Sequence, residues 1–334
     1  MRPAARPLLM VCLRLRSGAP VALPALLAFL SACGSSPTLA LGPDGDTGTA
    51  DLVALPPDLA PPAIRLIAHE YTLEAGQETY LCKRVTLATD WLIGDITPTS
   101  AAGTHHQVLG IDPRKSAPDG VFECAGNAEF DPLSWQMLFA SGVNSPTLTM
   151  PEGTAMVLRA GDQIVLQMHL LNASTRAITA LAALDVHTRP AEPAPTPVQM
   201  LLAGVLPDSR VTPSIPVGSN QTVNGKCTLP AATNYFAVFP HMHQVGRHIQ
   251  VTAVVGGQSR AIYDEDYRFD DQRFKQFAPL ALAKGDQIEV LCTYDNQTGK
   301  PVAFGQSSYE EMCFAISFLS PPVPTKTFGD LCAQ

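Results

Sequence analysis

The sequence has few of the patterns that mark several common protein classes. No long stretch shows the apolar repeat of an amphipathic helix, so a helical body is disfavoured. It contains no C-x-x-C pair and no H-E-x-x-H run, which disfavours a zinc ribbon, a thioredoxin-like site and a zinc protease. Short runs of β-branched and aromatic residues are abundant instead, and 30 prolines and 24 glycines interrupt them. This pattern predicts an all-β protein.

Positive charge is scarce, and part of it lies at the N-terminus. The apolar run APVALPALLAFL (19–30) follows four arginines, namely Arg2, Arg6, Arg14 and Arg16. The run is too short to span a bilayer but fits the core of a secretory signal. Removing residues 1–32 takes away these arginines and no acid, so the net charge changes from −8 to −12. A charge of that sign disfavours nucleic acid and an anionic membrane surface as partners.

The end of this signal indicates a lipid anchor. The run LSAC (30–33), followed by Gly34, resembles a bacterial lipoprotein cleavage box in which Cys33 becomes the lipidated first residue. The alternative is a plain signal peptide that is cleaved nearby. Either way we expect an exported protein. With the anchor, the partner is the lipid membrane of a bacterial cell envelope, at the outer membrane or its periplasmic face.

Composition divides the rest of the chain. Residues 33–62 are small, proline-rich and acidic, which predicts a flexible tether. The proline-rich stretch RPAEPAPTPV (189–198) separates two strand-rich regions and is the best candidate for a domain boundary. We therefore expect an N-terminal domain over residues 63–195 and a C-terminal domain over residues 196–334.

One sequence element occurs in both halves. RAGDQIVLQMHLLNAST (159–175) recurs as AKGDQIEVLCTYDNQTG (283–299), with Gly-Asp-Gln-Ile and a later Asn at matching places. A Gly-Asp turn before a strand is common enough to recur by chance. One copy in each half nevertheless suggests two related β-sandwich domains.

Histidine is scarce, and its distribution is uneven. Of eight histidines, five fall in three strand-like places: His105 and His106, His169, and His241 and His243. Residues two apart in a strand point to the same face, so the H-x-H pair can hold one ion. The alternative for an isolated pair is two satisfied core or edge histidines. The adjacent pair His105 and His106 can share an ion only where the strand is twisted, bulged or ending, and the preceding Gly103 favours such a bulge.

Two further side chains bear on the chemistry. Gln167 shares the face of His169, two residues away. Met312 adjoins a strand in the run SYEEMCFAISF; alone it is more often a packing residue, but its thioether is a soft donor that selects copper over zinc, calcium or magnesium.

Taken together, the order H-H, Q-x-H, H-x-H and E-M-C resembles the copper type II, ascorbate-dependent monooxygenases, the family of peptidylglycine α-hydroxylating monooxygenase and dopamine β-monooxygenase. The resemblance spans roughly residues 65–334. It implies two jelly-roll-type β-sandwich domains that face each other across an interdomain cleft, with one copper ion each. It also implies a first, electron-transfer site at His105, His106 and His169, and a second site at His241, His243 and Met312 where dioxygen is activated.

The same resemblance implies how the cysteines pair. Apart from Cys12 in the signal and Cys33, six remain, and an even number in an exported chain predicts disulfides without fixing their connectivity. By position they match three family pairs: Cys82 with Cys124, Cys227 with Cys332, and Cys292 with Cys313. The last pair would hold Met312 beside its site.

The resemblance further implies the reaction. Ascorbate would reduce both copper ions, and a substrate C–H bond would be hydroxylated by dioxygen. The peptide-processing member holds its substrate carboxylate with an Arg, an Asn and a Tyr, where this chain has Phe239, Phe314 and Ile316. We therefore expect a small apolar or aromatic substrate and no peptide amidation.

Two other functions are alternatives. A cupin-like or non-haem iron oxygenase would need an acidic ligand near its histidine pair, and residues 244–247 contain none. The second alternative is a non-catalytic surface lipoprotein that binds copper on the same fold. The remaining histidines, His69, His187 and His248, are expected to have structural or surface roles.

Overall fold

The computed structural model describes residues 62–115, 117–124, 135–205, 214–305, 307–325 and 331–332. The signal segment 1–32, the anchor Cys33 and the tether as far as residue 61 lie outside the described residues. All described residues lie within one compact unit, Pro56–Gln334.

Every regular element in the described part of the chain is a β-strand, which confirms the all-β prediction. The first eleven strands are β1 (Ile64–Leu73), β2 (Glu78–Thr86), β3 (Trp91–Ser100), β4 (Thr104–Ile111), β5 (Gly120–Glu123), β6 (Gln136–Gly142), β7 (Leu148–Thr149), β8 (Thr154–Leu158), β9 (Gln163–Leu171), β10 (Ile178–Thr188) and β11 (Thr196–Pro197). The others are β12 (Gln199–Gly204), β13 (Ser214–Ile215), β14 (Gly218–Thr228), β15 (Thr233–His241), β16 (Gly246–Val255), β17 (Gln258–Asp266), β18 (Lys275–Leu282), β19 (Gln287–Asn296), β20 (Val302–Ala303), β21 (Phe314–Ser320) and β22 (Leu331–Cys332). Within the described ranges, no helix is long and apolar enough to cross a bilayer.

Strands β1 to β11 form two sheets. One has the order β1-β10-β3-β8-β11, with β7 paired to β3, and the other has the order β5-β2-β9-β4-β6. Their facing side chains share one apolar core that includes Ile67 of β1, Ile96 of β3 and Leu109 of β4. This is the layered arrangement of a β-sandwich. Strand β9 is buried along almost its whole length, which fits its central place in the second sheet.

Strands β12 to β22 form a second pair of large sheets. Their orders are β18-β15-β21-β12-β22 and β14-β19-β16-β17, and a short β13-β20 pair lies beside them. The sheet centred on β15 and β21 is buried on both faces. On β12, for example, Leu201 packs in the core shared with β16 and β19, whereas Met200 and Leu202 pack in the core of the first sandwich. Near-continuous apolar runs such as NYFAVFP are typical of such doubly covered strands.

The recurring sequence element adopts the same local structure twice. The side-chain amide of Asn172 donates to the carbonyl of Arg176 at 2.8 Å, and that of Asn296 donates to the carbonyl of Lys300 at 2.9 Å. Both asparagines also accept a hydrogen bond of 3.0 Å from the backbone N–H two residues later. Both contacts of Asn172 thus recur at Asn296, so the two sandwiches have the same local structure in this region. The jelly-roll topology and the residue 195/196 boundary stay predictions.

Candidate metal centre

The adjacent histidines of β4 lie in a β-bulge. Thr104 pairs with Leu170 and His106 with His169, so the register shifts at His105. Gly103 precedes the bulge with φ of 88°, a left-handed conformation that suits glycine. The extra residue lets neighbouring side chains turn toward one place, as the sequence predicted for this pair.

His105, His106 and His169 come together in the structure. One ligand nitrogen of each ring lies within 4.8 Å of the others, so the three could hold a metal ion. Nδ1 of His105 lies 3.2 Å from Nδ1 of His106. The Nδ1 atom of His169 is buried and has no hydrogen-bond partner. A buried, unpartnered nitrogen beside two others is what a site built for an ion would leave.

The opposite edges of two of these rings are held by hydrogen bonds. Nε2 of His105 lies 2.9 Å from the carbonyl oxygen of Phe269, and Nε2 of His169 lies 2.7 Å from Oε1 of Glu78. Each Nε2 therefore carries the proton and donates it, which leaves Nδ1 as the lone-pair nitrogen. Tyr80 stacks on the His169 ring with 4.2 Å between centroids and 5° between planes. Nδ1 is thus the candidate ligand atom of His105 and of His169.

Burial keeps these imidazoles neutral. Loss of solvent lowers the pKa of His105 to about 4 and also lowers the pKa values of His106 and His169. For His169 this effect outweighs the hydrogen bond that the ring donates to Glu78, which raises its pKa. Neutral imidazole is the form that binds metals, and three of them suit copper, zinc, iron or nickel.

His241 and His243 also lie close together, with 5.0 Å between ring centroids. Nδ1 of His241 lies 2.8 Å from Oε1 of Gln272, and Nδ1 of His243 lies 3.1 Å from the carbonyl oxygen of Glu310. Both Nδ1 atoms donate, so Nε2 is the free nitrogen of each ring. Burial lowers the pKa of His241 to about 4 and that of His243 well below its ordinary value.

Strand pleating explains only part of the H-x-H geometry. Strand β15 ends at His241, so His243 lies beyond the strand and its direction is not set by the pleat. The carboxylate of Glu311 accepts hydrogen bonds from the backbone N–H groups of His243 (2.9 Å) and Val245 (2.8 Å). Loss of solvent raises the pKa of this carboxyl group to about 7. The sequence predicts that strand alternation alone aims both rings at one ion. That prediction is wrong for His243, whose backbone is held by Glu311 instead.

Met312 lines the same cavity as His241 and His243 and is partly buried. Its carbonyl oxygen accepts a hydrogen bond of 2.8 Å from the hydroxyl of Tyr294. The next residue, Cys313, is bonded to Cys292 of β19. Both contacts fix the chain on the C-terminal side of Met312. Whether its sulfur ligates a metal stays a prediction, as do the other assigned ligands.

The structure contains the three disulfides that the resemblance implies. They join Cys82 to Cys124, Cys227 to Cys332, and Cys292 to Cys313.

The two histidine sets adjoin each other. The rings of His106 and His241 pack edge-on with 5.8 Å between centroids. A cavity of about 70 Å³ lies beside them, lined by His106, His241, His243 and Met312 among others. The resemblance implies sites that face each other across a cleft; here the two sets are in contact through His106 and His241, the small cavity lies beside them, and Nε2 of His105 donates to the carbonyl of Phe269.

The walls of this cavity are mainly apolar. Phe239 and Ile316 are cross-strand partners, as are His241 and Phe314, and all of them line the cavity. Gln167 of β9 adds one polar side chain to the wall. The described cavity lining includes no lysine or arginine, so it offers no cation for a substrate carboxylate.

The other histidines lie elsewhere. His187 lies 4.0 Å from Asp95, and His248 is held by Asp264 (2.8 Å) and Asp266 (3.0 Å). His248 pairs with Thr293 after a register shift in β16, as His106 pairs with His169 after the shift in β4. His248 thus occupies in the second sandwich the position that His106 occupies in the first. Thr293 stands there in place of His169. His69 is partly buried on β1.

The sequence did not predict several residues that contact the candidate ligands. They are Glu78, Tyr80, Phe269, Gln272, Glu310 and Glu311, all of which contact a candidate ligand. The run EEMC, with acids directly before Met312, was the one available signal. Glu78, Tyr80, Phe269 and Gln272 are remote in sequence from the histidines they contact, and no motif marks them.

Comparisons with known proteins add the following. Residues 200–327 match the family model described as "Copper type II ascorbate-dependent monooxygenase, C-terminal domain". No curated protein matches the chain. Among solved structures, PNGase F, a glycosylasparaginase from Flavobacterium meningosepticum, is similar at 8% identity and a TM-score of 0.31, covering 80% of this chain and 97% of that one.

Two further solved structures are more distant. A second structure of N-glycanase F has 8% identity and a TM-score of 0.26, covering 76% of this chain and 88% of that one. Dimeric latent PorU from Porphyromonas gingivalis has 10% identity and a TM-score of 0.17, covering 73% and 24%. Structural likenesses this weak carry no argument about fold or function.

The family match falls on the part of the chain that carries H-x-H and E-M-C, and it supports the family suggested by the motifs. Over residues 200–327 the chain is therefore similar to the C-terminal domain of the copper type II, ascorbate-dependent monooxygenases.

Proposed function

We propose that this protein is a copper monooxygenase that uses ascorbate to hydroxylate a C–H bond of a small apolar or aromatic substrate. The observation that carries the proposal is the meeting of two unlike donor sets, three histidines and a His-His-Met group, at one apolar cavity. The family match to residues 200–327 gives copper and ascorbate dependence at the level of the family.

The two donor sets suit different tasks. His105, His106 and His169 would hold one copper ion through nitrogen alone, and three imidazoles tolerate both oxidation states. His241, His243 and Met312 would hold the other, and the thioether favours the reduced ion. Bound copper supplies the electron transfer and dioxygen chemistry: one oxygen atom enters the C–H bond, the other leaves as water, and ascorbate provides two electrons.

The residues around the donors orient and enclose them. Phe269, Gln272, Glu78 and Glu310 each accept a ring proton, which fixes the tautomers with the ligand nitrogens free. The apolar cavity wall excludes water from the reacting carbon.

The cavity favours an apolar substrate. Phe239, Phe314 and Ile316 offer neither a cation nor a hydrogen-bond donor from their side chains, so a peptide carboxylate would lose its solvation without a partner. We expect apolar aromatic or aliphatic compounds to be converted and peptides ending in glycine to be left unchanged. Mass spectrometry of the products, which gain one oxygen atom, tests this directly.

The cellular setting is part of the proposal. Export through residues 1–32 and lipidation at Cys33 would place the enzyme at the bacterial cell envelope, held to the membrane by its anchor. Mass analysis of the mature N-terminus, with Cys33→Ser as the matched variant, tests this placement.

The deciding experiment combines metal analysis with oxygen uptake. The purified protein should bind two copper ions per chain and consume oxygen only with ascorbate and substrate. Met312→Ala should abolish hydroxylation and spare most copper at His105, His106 and His169. Preference for zinc, with no oxygen uptake under any reductant, would instead favour the alternative of a non-catalytic surface lipoprotein.

A further inference from the structure

Glu311 is a carboxylate buried without a cation. Its side chain is 0% exposed. Among the described residues, no lysine or arginine forms an ion pair with Glu311. Burying an unpaired carboxylate is costly, so such a group needs a compensating role or partner.

The backbone of Glu311 is fixed independently of its side chain. Its N–H donates to the carbonyl of Ala303 at 2.8 Å, and its own carbonyl accepts from the N–H of Gly305 at 3.0 Å. These bonds tie residue 311 to the β20 region. The carboxylate therefore projects from a rigid support.

That carboxylate bonds to the backbone at both candidate ligands. Oε2 accepts from the N–H of His243 at 2.9 Å and from the N–H of Met312 at 3.3 Å. Oε1 accepts from the N–H of Val245 at 2.8 Å. The Glu311 side chain thus connects the turn after β15 to the backbone of Met312. His243 lies beyond the end of β15, so no hydrogen bond between strands sets its position. The bond to Glu311 takes that role.

We propose that Glu311 is a positioning residue of the second metal site: its carboxyl group accepts from the backbone N–H groups of His243 and Met312 and so sets the spacing between these two residues. This inference rests on the proposed function, because it assumes that these residues bind copper. Partners of this kind, one step removed from the metal, typically change metal affinity by about 10- to 100-fold when they are replaced.

The test uses two variants of graded chemistry. Glu311→Gln keeps the size and one acceptor oxygen but loses the charge and turns an NH₂ group toward a backbone N–H. Glu311→Asp keeps the charge but is one methylene too short to reach His243 and Val245 together. Glu265→Gln, on an exposed carboxylate of β17, is the matched control.

Two readouts are needed beside activity. Cu(I) affinity is measured by competition with a chromophoric chelator, and sulfur ligation by X-ray absorption of the Cu(I) protein. We expect both Glu311 variants to bind Cu(I) at the second site at least about 10-fold more weakly and to lose the Cu–S signal. Copper at His105, His106 and His169 should be retained, and Glu265→Gln should match the unchanged protein.

The outcomes distinguish failure of the proposed function from failure of the proposed role of Glu311. If the unchanged protein shows no Cu–S signal, the proposed function and this inference both fail. If it shows the signal and both Glu311 variants keep it with unchanged affinity, only the inference fails. Should Glu311→Gln lose copper from the first site as well, it is misfolded, and the Glu311→Asp result decides.

Discussion

Glu78 lies 2.7 Å from Nε2 of His169 and so determines which nitrogen of that ring is free. The same Oε1 atom accepts a hydrogen bond of 2.9 Å from the hydroxyl of Ser308, in the segment just before Met312. One carboxylate on β2 therefore touches a ligand of the first set and the chain that leads to the second. Carboxylates behind metal-bound histidines fix the tautomer and raise ligand basicity.

Replacing Glu78 should weaken the first metal site. In Glu78→Ala, we expect copper affinity at His105, His106 and His169 to fall about 10- to 100-fold, because the proton on His169 loses its acceptor. Affinity is measured by chelator competition in a Met312→Ala background, which isolates the first site. Glu74→Ala, at an exposed turn, is the control. Equal affinities in both variants would contradict this role.

Much of the first set followed from sequence rules. Alternation along strands, with Gly103 before His105, predicted that the adjacent histidines need a bulge, and the register shift shows one. The resemblance to the copper monooxygenases then grouped them with His169, and the structure brings the three rings together. The inference about the strand succeeds because a strand's period and a glycine's conformational range are local properties, whereas the grouping with His169 required the resemblance.

The residues that hold the rings could not be predicted in this way. Phe269 and Gln272 reach His105 and His241 from a loop after β17, and the contacts depend on how sheets pack. Alternation assigns a face to a residue within its strand but says nothing once the strand has ended. His243 shows this limit, since a distant carboxylate fixes its backbone.

Phe239 should contribute strongly to the stability of the fold. It is 2% exposed and packs in the core that joins the two sandwiches. Phe239→Ala should lower the free energy of unfolding by about 3–5 kcal/mol, because it removes apolar contacts and leaves a cavity. Tyr309→Ala, at a side chain 73% exposed, should change it by less than about 0.5 kcal/mol. Urea denaturation measures both, and a similar loss in the two variants would refute the assignment.

The disulfides should differ in what they contribute. Cys227 and Cys332 are 105 residues apart, whereas Cys292 and Cys313 are 21 apart. The chain-entropy model scales as 1.5RT ln n, so removing the longer loop's bond should cost about 1.4 kcal/mol more in unfolding free energy. Paired Cys→Ser variants, compared by denaturant titration, test this. The Cys292 and Cys313 pair should instead show the larger loss of copper–sulfur signal, because it adjoins Met312.

The surface histidine of β16 should make stability depend on pH. Hydrogen bonds that the His248 ring donates to Asp266, and secondarily to Asp264, raise the pKa of His248 above its ordinary value. The protonated form is therefore favoured by folding, so its contribution is fully present below the unfolded pKa of about 6.5 and is lost as the pH rises through the folded pKa. The stability gap between the unchanged protein and His248→Asn should shrink from about pH 6 to pH 9. A constant gap, measured by thermal unfolding, would contradict this.

Gly142 should control both metal sites from outside either ligand set. It ends β6 opposite His106, and a Cβ atom there would lie 2.6 Å from both Cβ and the carbonyl oxygen of Gln272. The same carbonyl accepts a hydrogen bond from the hydroxyl of Ser145 at 3.1 Å. A methyl group at residue 142 must therefore displace the loop that carries Gln272, because the obstructing atoms include backbone.

That loop holds one ring of each set, through Phe269 on His105 and Gln272 on His241. Gly142→Ala should thus weaken copper binding at both sites together, each by about 10-fold or more. Gly153→Ala strains the backbone at a φ of 71° but puts the new atom where nothing lies within 4 Å, so it is the control for a general loss of stability without displacement of a neighbour. Chelator competition with one and two equivalents of copper measures the two affinities. A loss at a single site would show that the two histidine sets are held independently, because a shared loop cannot shift for one ring and stay in place for the other.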